Sequence, residues 1–99
     1  MPVEAIWKDQ VIAHSDRTVV IEGNHYFPRD DVDTSMLERS RRTSECPWKG
    51  TAHYYDVECD GERVEDGAWC YPRPKKEAES IRDKIAFGNG VEVVQVADA

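Results

Sequence analysis

Long hydrophobic runs are absent from this sequence, and positive charge is in short supply. No stretch approaches the roughly 20 apolar residues that a membrane span needs. The start, Met1-Pro2-Val3-Glu4-Ala5, has no basic segment followed by an apolar run, so we expect no secretory signal. With 13 basic against 20 acidic residues and a net charge of −7, the chain is also not expected to bind duplex nucleic acid or an anionic membrane surface.

Cysteine is scarce, and its pattern is uninformative for metal chemistry. Three cysteines are an odd number, and without export this favours reduced thiols in the cytoplasm. Structural zinc sites take closely spaced ligand pairs, and neither the cysteines nor the three histidines show such spacing, so we expect no metal and no cofactor. The residues in question are Cys46, Cys59, Cys70, His14, His25 and His53.

The short length limits the architecture. Ninety-nine residues suffice for one domain, predicted to span 1–99. A chain of this size buries only about two-thirds of the surface that its unfolded form exposes. This excludes a two-domain enzyme with an interdomain cleft, and it excludes a doubly wound nucleotide-binding fold, which needs more chain.

Short β-type runs dominate the first seventy residues. Pro28, Pro72 and Pro74 interrupt them, and Asp60-Gly61 is a strong two-residue hairpin signal. Their spacing predicts a mainly β (α+β) fold of antiparallel sheets that curl or fold over one another to hide an apolar face. The predicted strands cover residues 10–15, 18–22 (expected to be covered on both faces), 25–27, 51–59, 62–65 and 67–71.

One helix is predicted near the C-terminus, beginning at Pro74 or Lys75. Ala78, Ile81 and Ile85 follow at helical spacing, and Gly88 stands where a helix commonly ends. A final strand is expected over residues 91–96. Residues 35–38 have the form of a capping box, but too few apolar residues follow for more than a helical turn.

Aromatic and polar residues that could bind a ligand concentrate in three blocks. These are Asn24-His25-Tyr26-Phe27-Pro28, then Cys46-Pro47-Trp48-Lys49-Gly50 with His53-Tyr54-Tyr55, and finally Trp69-Cys70-Tyr71-Pro72. Loop and strand ends are where binding groups usually lie. We therefore expect an aromatic-lined pocket for a small planar or cationic ligand, since a cation is attracted to a ring face. Its predicted residues are Asn24, His25, Tyr26, Trp48, Lys49, Tyr55 and Trp69, with Trp7 as a further candidate wall.

The same blocks resemble a small, mostly bacterial family of domains of unknown function that sometimes carries a nucleotidyltransferase-like label. The segments Gly23-Asn24-His25-Tyr26-Phe27-Pro28, Cys46-Pro47-Trp48-Lys49-Gly50 and Trp69-Cys70-Tyr71-Pro72 carry this resemblance. It implies a compact, mainly β fold similar to the tent-like β domains of the cereblon ligand-binding type.

Two other classes of function stay open. One is a small enzyme: a nucleotidyltransferase-like protein using Asp31-Val32-Asp33, or a hydrolase using His25 or His53 with Lys49 or Cys46. The other is a protein-interaction module with an exposed sheet edge or aromatic patch. The expected partner is a small-molecule ligand, and the sequence leaves a homodimer open.

Overall fold

The computed structural model describes residues 1–97, so residues 98–99 of the predicted domain lie outside it. Within that range the chain forms strands and short 3-10 helical segments. The strands are β1 (Val3–Trp7), β2 (Gln10–Ser15), β3 (Val19–Ile21), β4 (Asn24–Tyr26), β5 (Leu37–Cys46), β6 (Gly50–Cys59), β7 (Glu62–Cys70), β8 (Ile85–Phe87) and β9 (Glu92–Gln95). The 3-10 segments are Arg29–Asp31, Thr34–Met36 and Lys76–Ile81.

The strands form three antiparallel sheets. The largest has the order β5-β6-β7-β8, a second has the order β2-β1-β9, and β3 and β4 form a separate two-stranded hairpin. Each sheet is open. The prediction of a mainly β fold of antiparallel sheets is therefore confirmed.

The four-stranded sheet is covered on both faces. Along β7, Ala68 and Cys70 belong to one apolar cluster and Trp69 between them belongs to another. Along β8, Ala86 lies in the second cluster, between neighbours that lie in the first. Because successive side chains of a strand point to opposite faces, the two clusters lie on opposite sides of this sheet.

The two clusters have different covers. The larger one packs the four-stranded sheet against β1 and β2, through Val3, Ala5 and Ile12. The smaller one packs it against Tyr26 of β4 and against Ile81 of the last 3-10 segment. Phe27 follows Tyr26 but belongs to the larger cluster, so the chain crosses from one side of the sheet to the other here.

A backbone bridge fixes that crossing. The amide of Phe27 donates to the Ile85 carbonyl at 2.7 Å, and the amide of Ile85 donates back to the Phe27 carbonyl at 2.9 Å. The Phe27 ring also packs edge-on against Phe87, with 5.5 Å between centroids. The β3–β4 hairpin is therefore attached to the β8 edge of the large sheet.

The opposite edge strand, β5, contains a wide bulge. Arg39 pairs with Tyr55 and Thr43 pairs with His53, so three residues of β5 lie opposite the single residue Tyr54. Ser40 within the bulge donates a 2.7 Å hydrogen bond to Asp66 of β7. The bulge is thus held by a side chain from two strands away.

Strands are found at five of the predicted places, with shifts of a few residues at their ends: 10–15, 18–22, 25–27, 51–59 and 91–96. The two strands predicted at 62–65 and 67–71 are one continuous strand, β7. Three strands, β1, β5 and β8, were not predicted. The expectation that the 18–22 strand is covered on both faces is wrong, because Val20 is 55% exposed. Its hairpin packs on the large sheet through one side only.

The predicted C-terminal helix is also wrong. Residues Lys76–Ile81 form a 3-10 segment that is kinked at Ala78, and Ile85 lies in β8 instead. Asp83 adopts a left-handed conformation with φ of 58°, which ends any helical path before Ile85 pairs with Phe27. The spacing of Ala78 and Ile81 suits three residues per turn as well as 3.6. No helix among residues 1–97 is long and apolar enough to cross a membrane.

The short 3-10 segment should matter for stability in spite of its length. Ile81 is fully buried, so Ile81→Ala should destabilise the domain by about 2–5 kcal/mol through lost contacts and a cavity. Glu77→Ala on the same segment is exposed and should stay within about 0.5 kcal/mol of wild type. Urea denaturation followed by tryptophan fluorescence measures both, and equal midpoints for the two variants would contradict this packing.

Candidate functional site

The turn between β5 and β6 carries a buried lysine. Lys49 is only 7% exposed, although lysine is almost never fully buried unless it is paired. Its carbonyl accepts a 2.8 Å hydrogen bond from the amide of Lys75. Gly50, with φ of +116°, lets the backbone pass close to Arg73, since a Cβ there would lie 3.3 Å from the Arg73 carbonyl oxygen. This packing holds the turn in place.

The Lys49 ammonium lies among one carboxylate and two aromatic rings. It donates to Glu22 Oε1 in an ion pair. Its Nζ is 5.4 Å from the ring centroid of Trp48 and 5.5 Å from that of Tyr71. Both distances fall within the range in which a cation is attracted to a ring. Among residues 1–97, Glu22 is the only carboxylate that pairs with this lysine.

Glu22 reaches Lys49 from the tip of the β3–β4 hairpin. Its backbone is left-handed with φ of 54°, and its side chain is 52% exposed. Gly23, the next turn residue, has nothing within 4 Å of where a Cβ would stand. The buried cation is therefore neutralised by an exposed carboxylate on a loosely packed turn.

Further aromatic residues extend from this ion pair. Tyr71 and Tyr26 pack with 6.4 Å between ring centroids. The Trp69 indole donates to the Tyr26 hydroxyl at 3.3 Å and packs against Tyr54 at 6.1 Å. These four rings, together with Trp48, Lys49 and Glu22, form what we call the lysine–aromatic cluster.

The cluster shifts the ionisation of its members. The Lys49 ammonium lowers the pKa of Glu22 below its ordinary value of 4.5, against the opposing effect of desolvation. Burial lowers the pKa of Lys49, but Glu22 and the neighbouring tyrosines outweigh it, so that the pKa is raised above 10.5. Burial raises the pKa of Tyr26 and Tyr71 above 10.0. The charged pair and neutral phenols are thus favoured over a wide pH range.

The structure brings together four of the seven predicted ligand-binding residues. Tyr26, Trp48, Lys49 and Trp69 all belong to the lysine–aromatic cluster, although they come from three separate blocks of the sequence. Lys49 contacts Trp48 directly, and Trp69 contacts Tyr26 directly. Tyr71 joins the two pairs, because its ring lies close to both Lys49 and Tyr26. The cluster is therefore the candidate functional site.

The other three predicted residues lie apart from it. Tyr55 belongs to the opposite face of the sheet, where its ring packs near Arg29 at 5.9 Å. His25 bonds through Nδ1 to the Thr18 hydroxyl at 2.8 Å, and Asn24 pairs with Ile21 in the hairpin ladder. The further candidate, Trp7, is buried in the larger core cluster. None of these contacts leads to Lys49.

Sequence reasoning missed three residues of the site: Glu22, Tyr54 and Tyr71. Tyr54 and Tyr71 lie within the second and third aromatic blocks, so those blocks could have indicated both. Glu22 ends a β-branched run just before Gly23-Asn24, which marks it only as a turn residue. Nothing local in the sequence indicates that this turn reaches a lysine 27 residues away.

The residues considered for enzymatic chemistry have other contacts. Asp31 accepts from Ser15 Oγ at 2.6 Å and also pairs with Arg17. Asp33 accepts from the amide of Ser35 at 3.2 Å, as a helix cap does. Within residues 1–97, no three His, Cys, Asp or Glu side chains are grouped so that they could hold a metal ion.

The thiols and the histidine bases do not form a pair either. His25 and His53 bond to Thr18 and Arg39 respectively, so neither is engaged with Cys46. Cys46 instead packs at the border of the smaller core cluster. All three cysteines are free thiols. The contacts thus give no base to the proposed Cys46 nucleophile.

Taken together, the fold and the cluster define a small domain of open antiparallel sheets with a buried lysine at a hairpin turn. The chain belongs to a family described as a domain of unknown function (DUF427) and labelled NTP_transf_9, whose model matches residues 1–98. The resemblance drawn from the three sequence blocks is therefore confirmed at the level of the family. No curated protein matches the chain.

The lysine–aromatic cluster should make stability depend on pH at both extremes. Because the folded pKa of Glu22 is lowered, its contribution is present above its ordinary pKa of 4.5 and is lost as pH falls through the folded value. Because the pKa of Lys49 and of Tyr71 is raised, their contributions are present below about pH 10 and are lost at higher pH.

Urea denaturation across this pH range measures the effect. Glu22→Gln should flatten the acid limb of the stability profile, because the glutamine has no carboxyl group to protonate. Glu77→Gln, on an exposed residue, should keep the wild-type profile. An acid limb of the same slope in wild type and Glu22→Gln would show that the ion pair does not contribute to stability.

Proposed function

We propose that this domain binds a small planar carboxylate at the lysine–aromatic cluster. The observation that carries the proposal is the buried Lys49 ammonium, whose carboxylate partner within residues 1–97 is the half-exposed Glu22 at a hairpin tip. On binding, the carboxylate of the ligand takes the place of Glu22 beside Lys49. The hairpin tip then moves outward into solvent.

The energetics of a buried charge support an exchange of this kind. A buried ammonium is costly unless an anion and hydrogen bonds compensate it. Glu22 supplies that compensation from a turn with no packing behind Gly23. A ligand carboxylate can therefore replace Glu22 without leaving the lysine uncompensated, which keeps the cost of opening small.

The aromatic rings favour a flat ligand. Trp48 is 37% exposed, so one part of its ring is available for stacking next to the ammonium. The Lys49 ammonium already lies over the rings of Trp48 and Tyr71, and it would repel a second cation. From the sequence we expected a planar or cationic ligand. The ligand that we propose is planar but carries a negative charge.

The cellular setting is part of the same proposal. Three free thiols support a reducing compartment such as the cytoplasm. The net charge of −7 supports a small-molecule partner over nucleic acid or an anionic membrane. We propose the small molecule as the principal partner of the domain.

Planar probes that differ only in charge test the proposal. Benzoate should quench tryptophan fluorescence in the millimolar range, whereas benzamide and benzamidine should bind more weakly. Lys49→Met should abolish benzoate binding. Glu22→Gln should tighten it by about tenfold, because a competing charged hydrogen bond is removed.

Lys76→Met is the matched control. Lys76 is an exposed lysine of the last 3-10 segment, so its loss changes the net charge without removing a contact of the lysine–aromatic cluster. Thermal unfolding of each variant shows whether it is folded. Preferred binding of benzamidine, or equal benzoate affinity in wild type and Lys49→Met, would refute the proposal.

A further inference from the structure

A second candidate site is a cleft on the other face of the large sheet. It has a volume of about 480 Å³ and is lined by Thr51, His53, Pro72 and Arg73. Thr51 and His53 alternate along β6 with Ala52, which belongs to the smaller core cluster. The cleft therefore opens on the face opposite the lysine–aromatic cluster, and its residues are not used by the function proposed above.

The cleft lies where the cover of this face ends. Further along β6, Tyr55 and Val57 contact the larger core cluster, which packs against β1 and β2. His53 and Thr51 are only half-buried, since that packing does not extend to them. A concave surface with polar side chains thus remains beside the covered part of the sheet.

The arginines at this cleft differ from most others in the molecule. Arg73 forms no ion pair within residues 1–97, and Arg39 donates to His53 Nδ1 rather than to a carboxylate. Elsewhere Arg17, Arg63 and Arg82 all pair with acidic side chains. Arg73 lines the cleft and Arg39 contacts its His53, and neither has a carboxylate partner within residues 1–97. In a chain with 20 acidic and 13 basic residues, this leaves positive charge at the cleft that can bind an anion.

The hydrogen bond from Arg39 also sets the chemistry of His53. A guanidinium group can only donate, so Nδ1 of the neutral ring accepts and its proton is on Nε2. Nε2–H is then a donor. Thr51 donates to Glu45 Oε1 at 2.8 Å, which places one carboxylate near the cleft, against the charges of Arg39 and Arg73.

We propose that this cleft binds the phosphate group of a small phosphorylated molecule. Arg73 pairs with the phosphate through its forked donors, His53 donates from Nε2, and Arg39 holds the histidine in that orientation. Pro72 contacts the organic part of the ligand. A cleft of about 480 Å³ has room for more than a bare phosphate and lies within the usual range of ligand pockets.

Titration with inorganic phosphate and with adenosine monophosphate, followed by the NMR signals of the His53 ring, tests the proposal. We expect both probes to shift these signals, with the nucleotide binding more tightly because of its organic part. Arg73→Ala should weaken binding by about tenfold or more, as expected for loss of a charge-assisted hydrogen bond.

Two controls separate binding at this cleft from general charge attraction and from binding at Lys49. Arg41→Ala removes an exposed arginine that does not line the cleft, and it should leave phosphate affinity nearly unchanged. Lys49→Met should also leave it unchanged, so failure here is distinguishable from failure of the carboxylate site. Thermal unfolding of each variant verifies the fold.

Three results would overturn the inference. The first is an absence of His53 shifts with either probe throughout the millimolar range. The second is an equal loss of affinity in Arg73→Ala and Arg41→Ala, which indicates only general charge attraction. The third is equal affinity for phosphate and for the nucleotide, which would show that the organic part of the ligand does not contribute to binding.

Discussion

The architecture depends on one constraint: the four-stranded sheet carries apolar side chains on both of its faces. Trp69 and Ala86 point to one side, and Ala68, Cys70 and Phe87 point to the other. Each side needs its own cover to keep this surface from water. In a chain of 99 residues, a three-stranded sheet supplies the first cover, and a hairpin with one 3-10 segment supplies the second.

The second, smaller cover encloses a charged group, the ammonium of Lys49. The hairpin and the 3-10 segment pack around Tyr26, Tyr71 and the Lys49 turn, and the ammonium is enclosed by rings and a single carboxylate. The ion pair with Glu22 offsets the cost of burying this ammonium.

Much of the β structure could be predicted because its strands are rich in β-branched and aromatic residues. The run Thr18-Val19-Val20-Ile21 and the hairpin signal Asp60-Gly61 are local features that tertiary contacts do not override. Strand β5 could not be predicted in this way, since Arg39-Ser40-Arg41-Arg42 has no apolar alternation. Its strand conformation is imposed by the ladder with β6.

The predicted helix shows the limit of periodicity. Ala78 and Ile81 are buried, as an amphipathic helix requires, yet the same spacing fits a 3-10 turn. A six-residue segment is too short for the cooperative gain that stabilises an α-helix. Pairing of Ile85 with Phe27 then decides the outcome, and that long-range contact has no trace in the local sequence.

The membership of the lysine–aromatic cluster could be predicted in part from the sequence. Aromatic blocks indicate which residues gather, so Tyr26, Trp48, Lys49 and Trp69 were found together. Successive side chains of β6 point to opposite faces of the sheet, so Tyr55 lies on the face opposite Tyr54. Glu22 could not be identified, because its role depends on where the hairpin docks.

The bulge in β5 has a consequence for how molecules of this domain meet. Ser40 and Arg42 turn toward Asp66, two strands away, and the backbone between Arg39 and Thr43 departs from regular pairing. The hydrogen-bonding groups of a straight strand from a neighbouring molecule would not align with those of β5. Such a strand would also meet the clustered guanidinium groups of this edge. The longest border strand of the protein is thereby a poor template for the growth of intermolecular sheets and fibrils.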